Sequence, residues 1–334
     1  MSSGPSAQEI WKDATWLAQA VDPRAGLVRL VEMTPDDYRE ASFLDDRMFQ
    51  QRPRITHLVP WASVLGSAPS SPRRDARWIL HISHVGSTLI ARLLGEIDGV
   101  LSVREPRALR DLTFFPAEVR ARFIPLVQVL FSRSFTPDGA ALIKATSFVS
   151  EIAAELIPDN GKALFLYTTP KSFISGILAG ENSRKELAGR AEQRMARLAN
   201  RGVQLPPPRH EADLAAAAWA SEMVALQSVS NADVRWADFD TVLEDMPGSL
   251  TWMAEFFGFD ASKKRLEEIA TGPLTRRYSK ATQYEYSPEL RRELLAEAGR
   301  THRADIDSAL AMLDAASETA PLLRNALDRA QAES

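Results

Sequence analysis

The sequence predicts an α/β fold: a three-layer core of about five parallel strands, with helical caps at both ends. Three observations carry that expectation. Short apolar runs of strand length recur at 78–82, 100–103, 140–145, 163–167 and 234–239. Amphipathic or Ala-rich stretches of helix length separate them, the pattern of strands alternating with helices. The first two runs are joined by a tight glycine turn that opens a helix, the strand–turn–helix–strand order of a phosphate-binding βαβ unit.

Taken in order, residues 1–75 read as an N-terminal helical cap and connector, and 76–334 as the α/β domain with its C-terminal helices. Residues 1–7 read as an irregular start, 9–20 as a helix and 26–31 as short and β-like. Thr34-Pro35-Asp36-Asp37 opens a further helix. Thr34 caps it, Pro35 takes the first position and Asp37 closes the box. Asp45 and Asp46 beside Arg47 read as ion pairs on a solvated helix face, not as a metal site. The Ser/Pro/Arg-rich stretch 64–76 is a connector.

Beyond the second strand, 117–131 is amphipathic and helical, and strand 140–145 carries Lys144 near its end. A helix over 150–156 turns at Pro158-Asp159-Asn160-Gly161 into the next strand. Residues 181–209 are charged, then proline-rich, and read as an exposed helix and loop, a candidate lid. Helices are expected over 213–229, 247–257 and 262–270, the last two separated by Gly258. Ser287-Pro288-Glu289 opens another, and 301–330 forms a final helix or helix pair.

Composition narrows the function. The 334 residues are 45% hydrophobic and 25% charged, ordinary for a globular protein with a sizeable core. A net charge of −4 gives no electrostatic footprint for nucleic acid. The absence of cysteine excludes disulfides, thiol catalysis and zinc–thiolate sites and fits a reducing compartment. No stretch reads as a signal peptide or a membrane span, so the expected location is cytoplasmic. The expected partner is a small-molecule or peptide acceptor, not nucleic acid or membrane. No acidic cluster suggests a metal.

The chemistry concentrates between Trp78 and Arg110. Gly86 lets the backbone approach an anion closely, and Ser87 and Thr88 stand at a helix start, where free N–H groups and the dipole favour negative charge. The next strand delivers a carboxylate, Glu105, towards the same sheet edge, where ligands of open α/β sheets bind. Four of the five histidines, His57, His81, His210 and His302, read as structural or exposed. This is not the Walker A pattern: His81 occupies its first glycine position and Ser87 its lysine position.

His84-Val85-Gly86-Ser87-Thr88 resembles the 5′-phosphosulfate loop, [KR]-x-G-[ST]-T, of the sulfotransferases that use 3′-phosphoadenosine-5′-phosphosulfate (PAPS). The resemblance is to bacterial sulfotransferase-family proteins and, more distantly, to tyrosylprotein sulfotransferases, whose Glu-Thr-Arg motif is matched by Glu105-Pro106-Arg107. It implies a P-loop-like core and sulfuryl transfer from PAPS, without a metal, to a hydroxyl or amine. It further implies Glu105 as general base, Arg107 on the substrate and Lys144 on the leaving phosphate. His84, Val85, Gly86, Ser87, Thr88 and Leu89 would form the cofactor loop, with His84 also acting on the sulfuryl group. Ser175 matches the family's 3′-phosphate serine, and Lys171 supplies charge nearby. Ser279 and Lys280 match a Ser-Lys pair in a loop that closes over the nucleotide, in a basic cluster with Arg276 and Arg277. The chain departs from the pattern at two positions: His84 replaces a Lys or Arg, and Thr168 replaces the 3′-phosphate Arg. Those departures keep two alternatives in view: a non-catalytic nucleotide-binding or scaffold protein descended from the family, and a P-loop kinase.

Overall fold

The computed structural model describes residues 4–276 and 287–332. Three strands lie near the N-terminus: β1 (Trp16–Asp22), β2 (Leu27–Glu32) and β3 (Thr56–Pro60). They pair antiparallel in the order β1-β2-β3. Five more form the core: β4 (Arg77–His81), β5 (Val100–Arg104), β6 (Ala140–Lys144), β7 (Lys162–Tyr167) and β8 (Asp233–Asp238). Their order is β5-β6-β4-β7-β8 and every pairing is parallel. The expected five-stranded core is therefore present.

The layers follow from chain direction. The crossover from β4 to β5 runs one way across the sheet and that from β7 to β8 runs the other. Right-handed crossovers put the helices of such opposed connections on opposite faces. A sheet covered on both faces needs apolar residues on both sides of each strand, hence the continuous runs. Trp78, Ile79 and Leu80 of β4 and Leu164 to Tyr167 of β7 are buried accordingly.

The N-terminal cap differs from expectation. The helix expected over 9–20 covers only Ala7–Lys12, and the chain continues as strand β1. Leu17, Ala18, Gln19 and Ala20 favour a helix by propensity, but β1 is buried on both faces and pairs with β2. Tertiary burial has overridden local preference. The cap is thus a small antiparallel sheet with short helices around it, not a helical unit. Its helix Pro35–Glu40 starts as expected, with reciprocal bonds between Thr34 and Asp37.

The cap is fastened to β5. The N–H of Leu44 donates to the carbonyl of Arg104 at 2.7 Å. Arg104 turns away from the sheet's carboxyl edge and donates to the carbonyls of Tyr38, Arg39 and Ala41 at the end of helix Pro35–Glu40. Burial pulls its guanidinium down to about 9. Helix carbonyls left unpaired at a C-terminus are natural partners for such a group.

Beyond β8 come helices Phe239–Glu244, Met246–Phe257 and Lys263–Ala270, and the last three helices among the described residues are Pro288–Thr301, Arg303–Ser317 and Pro321–Ala332. The expected cap at Ser287 is formed, its hydroxyl accepting from Leu290 N–H. Among the described residues no helix is long and apolar enough to cross a membrane.

Candidate active site

The site begins where β4 ends. The loop to helix Ser87–Leu94 has positive φ at Ser83 (74°), His84 (54°) and Gly86 (59°). A turn of this kind ahead of a helix start can present backbone N–H groups to an anion. No side chain caps the helix that follows, so its first N–H groups keep their capacity for a ligand. Thr88 adds a buried hydroxyl with no hydrogen-bond partner among the described residues. A glycine is required at 86: besides the left-handed φ, a Cβ there would lie 2.0 Å from the ring of Phe239. Val85 and Leu89 are buried, so only their backbone is available to a ligand.

His81 is a brace. Its Nδ1 accepts from the Ser83 N–H at 3.0 Å, which leaves Nε2 to donate to the Ala145 carbonyl at 3.0 Å. The neutral ring thereby ties the loop to the end of β6. The structural role expected of it is the one it has.

Glu105 continues the β5–β6 pairing by one residue, its N–H donating to Lys144 O at 2.7 Å. Its φ is +52°, a left-handed backbone on a non-glycine residue. Such a conformation costs on the order of 1–3 kcal/mol and persists only where the surroundings impose it. It turns the carboxylate into a cavity of about 450 Å³ shared with His84, Arg107 and Thr146. One oxygen accepts from Lys144, a lysine only 1% exposed. The other accepts from Arg47 at 2.9 Å. Register explains the first contact, since Lys144 pairs with Arg104, one residue before the glutamate.

Arg47 comes from the cap, 58 residues earlier. It lies over the Phe43 ring at 3.4 Å and bonds Asp45 at 2.8 Å. The Asp45-Asp46-Arg47 run is therefore not a solvated helix face, as its sequence suggested. It forms one wall of the cavity and reaches the candidate base. Arg107 joins the same wall, bonding Asp46 at 2.5 Å and Asp111 at 3.0 Å. Burial raises the Asp46 carboxyl, but Arg107 and Arg29 outweigh that and hold it below its ordinary value.

On the far side of β4 the arrangement is different. Thr168, just beyond β7, donates its hydroxyl to Asp240 at 2.6 Å. Asp240 lies just beyond β8 and also receives a bond from Ser172. Arg291, from helix Pro288–Thr301, reaches the same carboxylate with Nε at 3.1 Å and Nη2 at 2.9 Å. It also lies 5.3 Å from the Phe239 ring centre, above the residue that packs on Gly86. Burial raises the Asp240 carboxyl, yet Arg291 and the two hydroxyls hold it below its ordinary value.

The remaining expected residues are placed as follows. Lys171 is exposed on helix Pro170–Leu178, and its ammonium makes no ion pair among the described residues. Ser175 is buried on that helix, its hydroxyl 3.8 Å from where a Cβ on Gly299 would sit. Ser279 and Lys280, with Arg277, lie outside the described residues. The segment read as an exposed helix and lid is two helices, Glu181–Ala188 and Ala191–Asn200, which bury Leu187, Arg194, Arg197 and Leu198. Sequence reasoning missed Arg47, Phe239, Asp240 and Arg291. Only Asp240 carried a signal: like Glu105, it follows an apolar strand at its carboxyl end.

No protein-family model matches the chain, and no curated protein matches it. Solved structures do. A sulfotransferase domain from the curacin biosynthetic pathway is 13% identical, covers 73% of this chain and 99% of its own, and scores a TM of 0.41. The sulfotransferase domain of the Synechococcus PCC 7002 olefin synthase is 14% identical over 66% of this chain and 84% of its own (TM-score 0.37). A mouse sulfotransferase complexed with PAP is 13% identical over 59% and 64% (TM-score 0.33). All three are sulfotransferases. The chain's own side chains carry the functional assignment.

Proposed function

We propose that this protein transfers a sulfuryl group from PAPS to a hydroxyl or amine of an acceptor bound in the cavity, with Glu105 as general base. The observation that carries the reading is the left-handed backbone at Glu105, which aims a carboxylate into the cavity that the anion cradle also lines through His84. A strained conformation beside an anion site is what a positioned reactive group requires.

The cradle fits the phosphosulfate end of the donor. Thr88 offers an orphaned hydroxyl, and the uncapped helix start offers backbone N–H groups. When bound, PAPS supplies the sulfuryl group and departs as adenosine 3′,5′-bisphosphate (PAP). Glu105 takes the acceptor proton on a carboxylate oxygen, exchanging a bond from Arg47 or Lys144 for the acceptor O–H. Lys144 is then a buried cation beside a neutral carboxyl, available to negative charge developing on the leaving group. His84 donates to the sulfuryl oxygens, more strongly when it is cationic. Arg107 orients the acceptor.

The 3′-phosphate end supports a second reading. Thr168 is bonded to a carboxylate, Asp240, which repels phosphate, and Arg291 is engaged in neutralising it. A nucleotide-binding protein without transferase activity fits those contacts. A thermal shift with PAP, ATP and AMP tests the nucleotide site, and an assay of sulfuryl transfer then separates the two readings. Ligand at about 100 times its Kd adds roughly 2.7 kcal/mol, several degrees for a chain of this size. A rise specific to PAP is the expected result. A rise with ATP alone would point to a kinase, and none with any nucleotide would sink the donor assignment.

A further inference from the structure

We infer that the acceptor carries an oxyanion, a carboxylate or a phosphate, held by Arg110, Arg190 and Arg194. The inference rests on the acceptor-site reading of the cavity above. It starts from the charges on the cavity walls. Asp45 is paired with Arg47, Asp46 with Arg107 and Arg29, and Glu105 with Lys144 and Arg47. Those groups satisfy one another.

Three lining arginines are left. The Arg110 side chain has no hydrogen bond or ion pair among the described residues. The Arg190 guanidinium lies 4.5 Å from the Phe148 ring centre and has no ion pair there either. Arg194 is only 9% exposed; among the described residues its Nε has no hydrogen-bond partner, and its guanidinium makes a long 3.4 Å contact to Leu187 O. Burial pulls its guanidinium below the ordinary value. Glu186, exposed on the same wall, and the buried Glu222 both offset the Arg194 charge, and Asp111 interacts with Arg110, which leaves Arg190 the least compensated of the three.

The buried Glu222 offsets part of the Arg194 charge but is shared with Arg197, so the arginines of this wall are only partly neutralised. Arg190 at the start of helix Ala191–Asn200, Arg194 on that helix and Arg110 on the helix after Glu105 present planar forks, the geometry that takes a carboxylate or phosphate through paired N–H groups. Phe173, Ile177 and Leu187 add an apolar surface to the same cavity. The acceptor class is therefore a small hydroxylated or aminated molecule with an apolar middle and an anionic end. Its volume class agrees, since a cavity of about 450 Å³ suits a small ligand.

The test titrates the full chain, without donor, with 4-(hydroxymethyl)benzoate, 4-(hydroxymethyl)phenyl phosphate and neutral 4-(hydroxymethyl)benzamide. The Nε–Hε signals of Arg110, Arg190 and Arg194 are followed by NMR. Saturable shifts with an anion and none with the amide are expected, the tighter anion naming the source. Arg110→Gln and Arg190→Gln should each weaken that anion about tenfold while leaving the PAP thermal shift unchanged. Arg190→Lys keeps the charge without the fork, and serves if the glutamine variant does not fold. Three unresponsive signals, an amide that binds as well, or variants that bind as wild type would each overturn the inference. PAP binding together with any of those results would leave the donor reading standing. Saturation by an anion without any PAP shift would do the reverse, keeping the anion site and removing the donor.

Discussion

Glu105 and Asp240 are built alike. Each stands just past the carboxyl end of an edge strand, β5 or β8. Each bonds a residue at the end of the neighbouring strand, Lys144 or Thr168, and each is clamped by an arginine from a terminal cap, Arg47 or Arg291. The neighbour makes the difference. The Glu105 cluster holds two cations, Lys144 and Arg47, against two carboxylates, since Asp45 shares Arg47; the Asp240 cluster holds one of each, with Thr168 neutral. Glu105 also has a left-handed backbone and opens into the cavity, whereas Phe239, next to Asp240, packs on the cradle glycine. The same device thus yields a strained carboxylate that faces the cavity beside a buried lysine, and a second carboxylate held between hydroxyls and an arginine. Backbone strain and the buried lysine, more than the presence of a carboxylate, distinguish the Glu105 end.

The sharpest way to break this comparison is Glu105→Gln. Loss of a general base lowers the transfer rate by about 10²–10⁴-fold, with the PAP-induced thermal shift retained. The same change leaves Lys144 buried beside a neutral amide, and removing one partner of such a pair costs about 3–5 kcal/mol. Assays of sulfuryl transfer and of Tm without ligand therefore should both fall. A near-normal rate would remove Glu105 as the base.

Asp240→Asn probes the other end and should act in the opposite direction. It removes the repelling charge, keeps an acceptor for the Thr168 hydroxyl and releases Arg291. Calorimetry should then show PAP binding about tenfold tighter and AMP binding unchanged, the size of one well-placed charge. Weaker PAP binding would mean that the carboxylate positions Arg291 for the nucleotide instead of competing with it.

The smallest effect is on pH-dependent stability. The Asp240 carboxyl is held below its usual 3.8 in the folded chain. Its contribution is present above that ordinary value and is lost as pH falls through the lower folded one. Asp240→Asn should flatten this part of the acid limb of a Tm–pH profile. With its side chain 35% exposed, the contribution is below about 1 kcal/mol. An unchanged acid limb would show that Arg291 gives the aspartate no net stabilisation.

Much of the core was legible because its signals are local. Strand-length apolar runs predicted β4 to β8, and short spacings predicted the caps at Thr34 and Ser287. Glu105 was legible for the same reason, as a polar residue ending an apolar strand shortly after the cradle. The N-terminal sheet was not. Helix-favouring residues in β1 form a strand because β2 and the core bury both of its faces.

By itself the sequence determined the parallel core, the anion cradle and a carboxylate at its edge, since each depends on residues a few positions apart. Tertiary structure alone decided what each carboxylate meets. Arg47 lies 58 residues from Glu105 and Arg291 lies 51 from Asp240, so no periodicity or cap rule links them. Their pairing is set by how the two caps pack against the sheet, and with it which carboxylate faces the cavity.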